Sequence, residues 1–422
     1  MRQLQEGIQL TVIPTTKFKT IRIFIRFSTI HTRLQAVRRT LLTSVLETNS
    51  QKYPLQTDLS AKLAELYGAS FGMNVSKKGN LHQVNVTLNL VNGKYINDDQ
   101  ILSEGIDFLK EVLFHPNQKA GLFDEETFRL EKENLLDYIA SVPEDKQAFA
   151  SLQLQELYFG KDNAQGIPSF GKISDLKATT NADLMATYQK MLAEDVVDIF
   201  VVGDVDETIV YDLFAQWDFP KNSRKQPEMF YTQTLFPEVK ECTVKEAVTQ
   251  AKLNLAYHTD IYYTDEKRYA LTVFNGLFGG FPHSKLFMNV REKNSLAYYA
   301  SSSVDTFRGY LTVQTGIETS NQQKVLDLIQ EQLTSLAQGD FTDLAFEQTK
   351  AMLKNQILLS LDNAQVLIEM KYLHQWLPTT ALDTQAYIDK LMQVSREEVQ
   401  EIAKQIHLQA VFFLAAEGDM NE

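Results

Sequence analysis

The sequence predicts an α+β protein built from two homologous domains, each a mainly antiparallel sheet packed with helices. Three observations predict it. The order of strand-like and helix-like segments recurs in the two halves, and each half closes on an apolar strand followed by Gly-Asp, at Gly203-Asp204 and again at Gly418-Asp419. Between them, KNSRKQPEMFYTQT is polar and sits among Pro220, Pro227 and Pro237, the composition of a connecting segment. The expected organisation is a domain over 1–218, a linker over 219–238 and a domain over 239–422.

In the first half, Ile8 to Ser28 holds two β-rich runs, TVIP and IRIFIRF, joined by a short polar turn. Helical periodicity follows over Leu34–Thr48 and Thr57–Tyr67, the second opened by a Thr57-Asp58 cap. Ser70–Ser76 and Gln83–Val91 read as a hairpin across Lys77-Lys78-Gly79-Asn80. Helices are expected over Asp99–Phe114, Glu125–Ile139, Lys146–Tyr158 and Asn181–Leu192, before the strand Asp198–Val202. The second half repeats the order. Strands Glu241–Lys245 and Lys252–His258 lead to helices Asp265–Leu277 and Ser284–Arg291, then strands Ala297–Val304 and Tyr310–Thr315. Helices over Asn321–Ala337, Asp343–Leu361, Ala364–Leu373, Thr384–Met392 and Arg396–Gln405 precede the last strand, Ala410–Ala415.

A hydrophobic fraction of 44% with 25 Phe and 17 Tyr in 422 residues supplies ample core for two such domains and argues against disorder. The net charge of −13, with no basic cluster interleaved with aromatics, disfavours nucleic acid as a partner. The N-terminal stretch has no uninterrupted apolar run of signal-peptide type, and nothing reaches the roughly 18 apolar residues that span a membrane. A single cysteine, Cys242, allows no internal disulfide, so a cytoplasmic location is expected.

The segment SKLFMNVREKNSLAYYAS, Ser284 to Ser301, follows a Gly279-Gly280-Phe281-Pro282-His283 turn and carries the chemistry. Its period puts Leu286, Phe287 and Val290 on one helical face, and after Asn294-Ser295 the chain becomes strand-like. Arg291 at the helix end and Tyr298 on the strand can converge on a peptide carbonyl or an oxyanion. The plainer alternative is an arginine bridged to Glu292 or to a distant acid, beside a packed tyrosine.

GLFGGFPHSKLFMNVREKNSLAYYASSS resembles the second-domain signature of the insulinase-like (pitrilysin) zinc metallopeptidase family. Further stretches share the resemblance: FGKDNAQGIPSFGKISDL with VDIFVVGDVD, TFRLEKENLLDYI, and Ala345 to Asn363. It implies two facing domains forming a clamshell half, and it implies that Arg291 and Tyr298 contact substrate. It also implies a zinc motif, HxxEH, in which two imidazoles one turn apart hold the metal and a Glu acts as base. Counting back from Lys52-Tyr53-Pro54, the five motif positions fall on Thr40, Leu41, Leu42, Thr43 and Ser44, and the third ligand falls on Tyr138. Neighbouring Asp137 is no replacement, because one residue along a helix turns a side chain by about 100°.

The remaining donors do not rebuild a site. His31, His82, His115, His258, His283, His374 and His407 are scattered, with no pair at helical ligand spacing, and Cys242 stands alone. No metal or other cofactor is therefore expected in this chain, and zinc is expected in a partner. On the strand that the family uses to pair with peptide, Gly72-Met73 stands where the pattern has Asn-Ala, so the expected amide is absent.

The resemblance thus points to the non-catalytic bacterial branch of the family: a substrate-positioning subunit that lends Arg291 and Tyr298 to a zinc-bearing homologue acting on peptides. A homodimer in isolation stays open. So do a purely structural or peptide-binding scaffold and an independent peptidase with an unrecognised site.

Overall fold

Two antiparallel-rich sheets organise the chain in the computed structural model, which describes residues 1–417. The second Gly-Asp ending, Gly418-Asp419, lies outside the described residues. In chain order the strands are β1 (Arg2–Gln5), β2 (Ile8–Pro14), β3 (Thr20–Ile30), β4 (Ser70–Lys78), β5 (Leu81–Val91), β6 (Gln118–Lys119), β7 (Leu122–Phe123) and β8 (Val196–Gly203). They continue with β9 (Lys240–Glu246), β10 (Ala251–His258), β11 (Ala297–Asp305), β12 (Tyr310–Ile317) and β13 (His407–Ala416). The α-helices are α1 (Arg33–Thr48), α2 (Gln56–Glu65), α3 (Ile101–Phe114), α4 (Glu125–Ser141), α5 (Lys146–Phe159), α6 (Ile173–Ala178), α7 (Asn181–Glu194) and α8 (Glu207–Ala215). After them come α9 (Arg268–Asn275), α10 (Gln322–Ala337), α11 (Asp343–Ser360), α12 (Ala364–Trp376), α13 (Thr384–Gln393) and α14 (Arg396–Gln405).

Contacts divide the chain into two units. One comprises Met1–Ser141, Ile167–Met229 and Asp362–Tyr372; the other comprises Val142–Gly166, Phe230–Leu361 and the described chain from Leu373. Residues 220–237 contain no helix or strand, and the division falls within them, after Met229.

In the first unit the strand order is β1-β2-β8-β3-β5-β4. The run VVDIFVVG explains β8's central place, since every residue of it is buried. TVIP and IRIFIRF form β2 and β3 as expected, but they do not pair with each other. β8 lies between them, parallel to β2 and antiparallel to β3. Alternation along β3 turns Ile21, Ile23, Ile25 and Phe27 into the main core with α1, α3 and α7. At an alternate position, Arg26 meets α12: it lies 4.4 Å from the Tyr372 ring and donates to Glu369.

The other unit has the order β9-β13-β10-β12-β11. The two sheets share one plan: an early strand of each half pairs in parallel with the strand that closes it, β2 with β8 and β9 with β13, while β1 adds an outer strand to the first sheet alone. The next strand then pairs antiparallel with the closing strand, and a hairpin completes the sheet. This repeat of topology, more than the Gly-Asp endings, carries the relation between the halves. Helix α5, from the first half of the sequence, belongs to this second unit and packs Ala150, Leu154 and Tyr158 with Ala256, Phe412 and Leu414 of its sheet.

Elements not anticipated from the sequence are β1, the β6–β7 ribbon, α6 and α8. The helix expected over Asp265–Leu277 is α only through Asn275 and continues as a π-helix over Gly276–Gly280, and a second π-helix spans Leu286–Lys293. No helix among the described residues is long and apolar enough to cross a membrane.

The Arg26–Glu369 pair fixes α12 in the first unit. Arg26 is only 3% exposed, and its Nε donates to Asn85 Oδ1 at 2.9 Å. Burial would raise the Glu369 carboxyl, but the Arg26 guanidinium and the Lys78 ammonium override it and hold it below the ordinary value. Glu369→Ala strands a buried guanidinium, and we expect a loss of about 3 kcal/mol in urea unfolding. Lys17→Ala, which removes an exposed pair with Asp362 at 3.4 Å, should stay within about 0.5 kcal/mol.

Candidate functional site

Helix α1 starts at Thr32, whose side chain accepts from the Gln35 amide. Thr40, Thr43 and Ser44, spaced i, i+3 and i+4, share one face of it. Each hydroxyl is turned back into the helix. Thr40 Oγ1 donates to Ala36 O at 2.9 Å, Thr43 Oγ1 to Thr40 O at 2.8 Å, and Ser44 Oγ to Thr40 O at 3.4 Å. Tyr138, on α4, is 55% exposed and meets Phe170 edge to face at 5.8 Å. Three helix-bonded hydroxyls and an exposed phenol do not fit zinc, which takes thiolate, imidazole or carboxylate. Among the described residues, no group of three or more His, Cys, Asp or Glu could hold a metal ion.

The segment Ile167–Gly171 lies against this face. Ser169 O accepts from Thr40 Oγ1 at 3.4 Å and from His82 Nε2 at 2.8 Å. Gly171, at φ 81°, is required there: a Cβ would stand 2.5 Å from Val37 Cβ. Beneath it, Arg39 is 1% exposed and fully engaged. Its NH1 donates to Asp195 Oδ2 at 2.6 Å, NH2 to Phe27 O at 3.0 Å, and Nε to His82 Nδ1 at 3.1 Å. Arginine only donates, so His82 Nδ1 must accept and Nε2 carries the proton given to Ser169 O. Burial, followed by the Arg39 charge, pushes the His82 imidazole well below its ordinary range.

One turn beyond Ser44, α1 carries Glu47 and Thr48. Thr48 Oγ1 donates to Glu131 Oε1 on α4 at 2.8 Å, and the Met73 amide of β4 donates to Glu47 Oε2 at 3.3 Å. Burial raises the Glu47 carboxyl, the Met73 amide opposes this, and the Glu131 charge adds to it.

The second unit holds Arg291 and Tyr298. In the π-helix Leu286–Lys293, Leu286 and Val290 are buried, while Arg291 lies over the Phe287 ring at 4.5 Å. Its Nε is 3.7 Å from Glu292 Oε1, a loose exposed pair. The helix closes through Ser295, at φ 51°, whose amide donates to Arg291 O at 3.0 Å; the Leu296 amide donates to Val290 O at 3.1 Å and ties β11 to the helix end. Tyr298 is the extra residue of a β-bulge, because Ala297 pairs with Ile317 and Tyr299 with the adjacent Gly316. The bulge leaves Tyr298 61% exposed, so it is not the packed tyrosine of the plainer reading. Tyr299 instead turns in and donates to Gln147 Oε1, and burial, then the Asp145 charge, pushes its hydroxyl up to about 12. Gly279 lets the preceding π-turn approach β11: a Cβ there would meet Ser302 N at 2.6 Å.

Sequence reasoning passed over Arg39 and Glu47, and considered His82 only as a metal ligand. Arg39 left a signal, since it interrupts the apolar positions Ala36, Val37, Leu41 and Leu42 on a face that must be buried. The partners of His82 and Glu47 are distant in sequence and left none.

The fold and this pair of residue sets define an insulinase-like chain without the zinc ligands. The family model described as "Peptidase M16 inactive domain" matches residues 178–353. The "Probable inactive metalloprotease YmfF" of Bacillus subtilis (strain 168) is 35% identical over 412 residues, 97% of this chain and 96% of that protein. The "Uncharacterized zinc protease YmxG" of the same organism is 26% identical over 334 residues, 76% of this chain and 77% of that one. A crystal structure of a conserved protein from Enterococcus faecalis V583 superimposes with a TM-score of 0.95 at 53% identity, covering 100% of this chain and 99% of that one. The chain belongs to the M16, insulinase-like peptidase family, as an inactive homologue.

His82 makes folding pH-dependent. An unfolded imidazole titrates near about 6.5, whereas the folded one stays neutral well below that. As pH falls through about 6.5 the unfolded chain takes up the proton first, so stability present above that pH is lost below it. Between pH 7 and pH 5 the wild type should lose about 2 kcal/mol more than His82→Gln, which keeps one acceptor and one donor. Comparing slopes removes the contribution of Asp195, which is common to both. Separately, Thr40→His, Thr43→Glu, Ser44→His and Tyr138→Glu combined should create stoichiometric zinc binding in calorimetry. A folded quadruple variant that binds none would refute the assignment of those four positions.

Proposed function

We propose that this chain is the substrate-positioning, non-catalytic subunit of a heterodimeric metallopeptidase. It offers Arg291 and Tyr298 to peptide while a homologous subunit with HxxEH holds the zinc. The observation that carries this reading is the contrast between two faces. The side chains at the motif positions of α1 are turned into backbone bonds. Arg291 and Tyr298, by contrast, stand exposed at the mouth of an edge strand, the tyrosine set outward by a bulge. An exposed guanidinium and phenol can donate to a peptide carbonyl, and an arginine rests there on Phe287 with its donors still accessible. The single cysteine and acidic balance support a cytoplasmic site of action.

The partner fits the same logic. The chain resembles both an inactive metalloprotease and a zinc protease of one bacterium, so two such chains can coexist in a cell. Arg291→Ala should lower peptide cleavage by the mixed complex about tenfold, the loss of one charge-assisted hydrogen bond, while gel filtration shows subunit association unchanged. Unchanged turnover in both Arg291→Ala and Tyr298→Phe would leave a structural scaffold as the better account.

A further inference from the structure

β4 ends the first unit's sheet, and an edge strand accepts another extended chain unless something occupies its outward amides and carbonyls. In an antiparallel ladder successive residues turn these groups alternately toward the partner strand and away from it. Met73, opposite Val86 of β5, is on the outward phase, because its amide donates to Glu47 Oε2 at 3.3 Å. Its side chain is 8% exposed and part of the core, so the strand cannot rotate to present the other phase. Gly72 precedes it. Glu47 Oε1 lies 3.7 Å from the place a Gly72 Cβ would take, so the carboxylate rests against the strand over both residues.

We propose that the Glu47 carboxylate is a built-in cap that closes the β4 edge to strand addition by extended peptides. A peptide pairing with β4 needs the Met73 amide for its ladder. To take it, the peptide must break a charge-assisted bond and leave a half-buried carboxylate without that donor. The cap is held in place on both sides: Thr48 bonds Glu131 on α4, and Arg39 anchors the same helix one turn before Thr43. The missing Asn amide at Gly72 and the close approach that glycine permits then have one explanation, with the approach taken by Glu47 itself. This inference concerns the first unit alone and does not rest on the role of Arg291 and Tyr298, so either can fail without the other.

The test uses the full chain and a fluorescein-labelled peptide, Lys-Thr-Val-Thr-Val-Thr-Lys, followed by anisotropy and amide hydrogen exchange. Glu47→Ala should bind it at least tenfold more tightly than wild type, with the Met73 amide becoming protected on binding. Glu47→Gln keeps an acceptor and should behave as wild type. Equal affinity in wild type and Glu47→Ala overturns the cap. Should the alanine variant fail to fold, the free wild-type protein decides: a Met73 amide slowed relative to an unstructured chain sustains the cap, and one exchanging at the unprotected rate refutes it.

Discussion

A guanidinium removed from water must find all of its acceptors inside the protein, and Arg39 finds them on three elements at once. Asp195 caps the end of α7, Phe27 offers a carbonyl from β3, and His82 comes from β5. Because arginine can only donate, His82 is fixed as the Nε2-protonated tautomer, and its remaining proton holds the Ile167–Gly171 segment through Ser169 O. The chain thus locks α1, two strands of the sheet, α7 and a loop with one charge. Such a pair adds little net stability against a well-packed apolar substitute, but breaking it leaves an uncompensated charge, so it defines where α1 must sit. The position of Thr40, Thr43 and Ser44 on the α1 face depends on that placement.

The α1 face decides the chemistry. Its three side chains at i, i+3 and i+4 are arranged as two ligands and a base would be in a zinc peptidase, yet hydroxyls that donate to their own helix's carbonyls offer a metal neither charge nor a soft donor. On the same helix Glu47 turns a carboxylate onto an edge-strand amide, where a peptide would otherwise look for a partner. In the other unit the residues of the REKNSLAYY stretch keep an open character: a loose ion pair, a ring beneath the guanidinium, and a tyrosine moved outward by a bulge. The two units thus differ in physical terms: hydroxyls bonded to their own helix on the α1 face of one, and an exposed guanidinium and phenol in the other.

Much of this was legible in the sequence because it is local. Periodicity placed the long helices, β-branched runs placed the strands, and Lys77-Lys78-Gly79-Asn80 marked the turn of the β4–β5 hairpin, which the structure tightens to Gly79-Asn80. What was not legible is non-local. Nothing in TVIP and IRIFIRF reveals that β8 comes between them, since a strand's pattern records its burial and not its neighbour. The attachment of α12 to the first unit depends on Glu369 meeting Arg26 across 343 residues. In the first π-helical turn Gly276 and Gly279 approach Thr349 and Ser302 too closely for a Cβ, a packing demand with no local signature. Of the candidate site residues, Thr40, Thr43, Ser44 and Tyr138 were picked out by counting along the family pattern that the sequence resembles, and the first three do share one face of α1. Glu47 went unread because a single glutamate near a helix end has no distinctive pattern until the strand beside it is known.

Whether this chain holds a catalytic metal is decided by titrating zinc into the purified, chelator-washed wild-type protein while following cleavage of a quenched fluorescent peptide. We expect no stoichiometric binding and no cleavage by the chain alone at any zinc concentration that leaves it folded. One tightly bound zinc per chain, with peptide cleavage that appears on binding and disappears with chelator, would contradict this expectation.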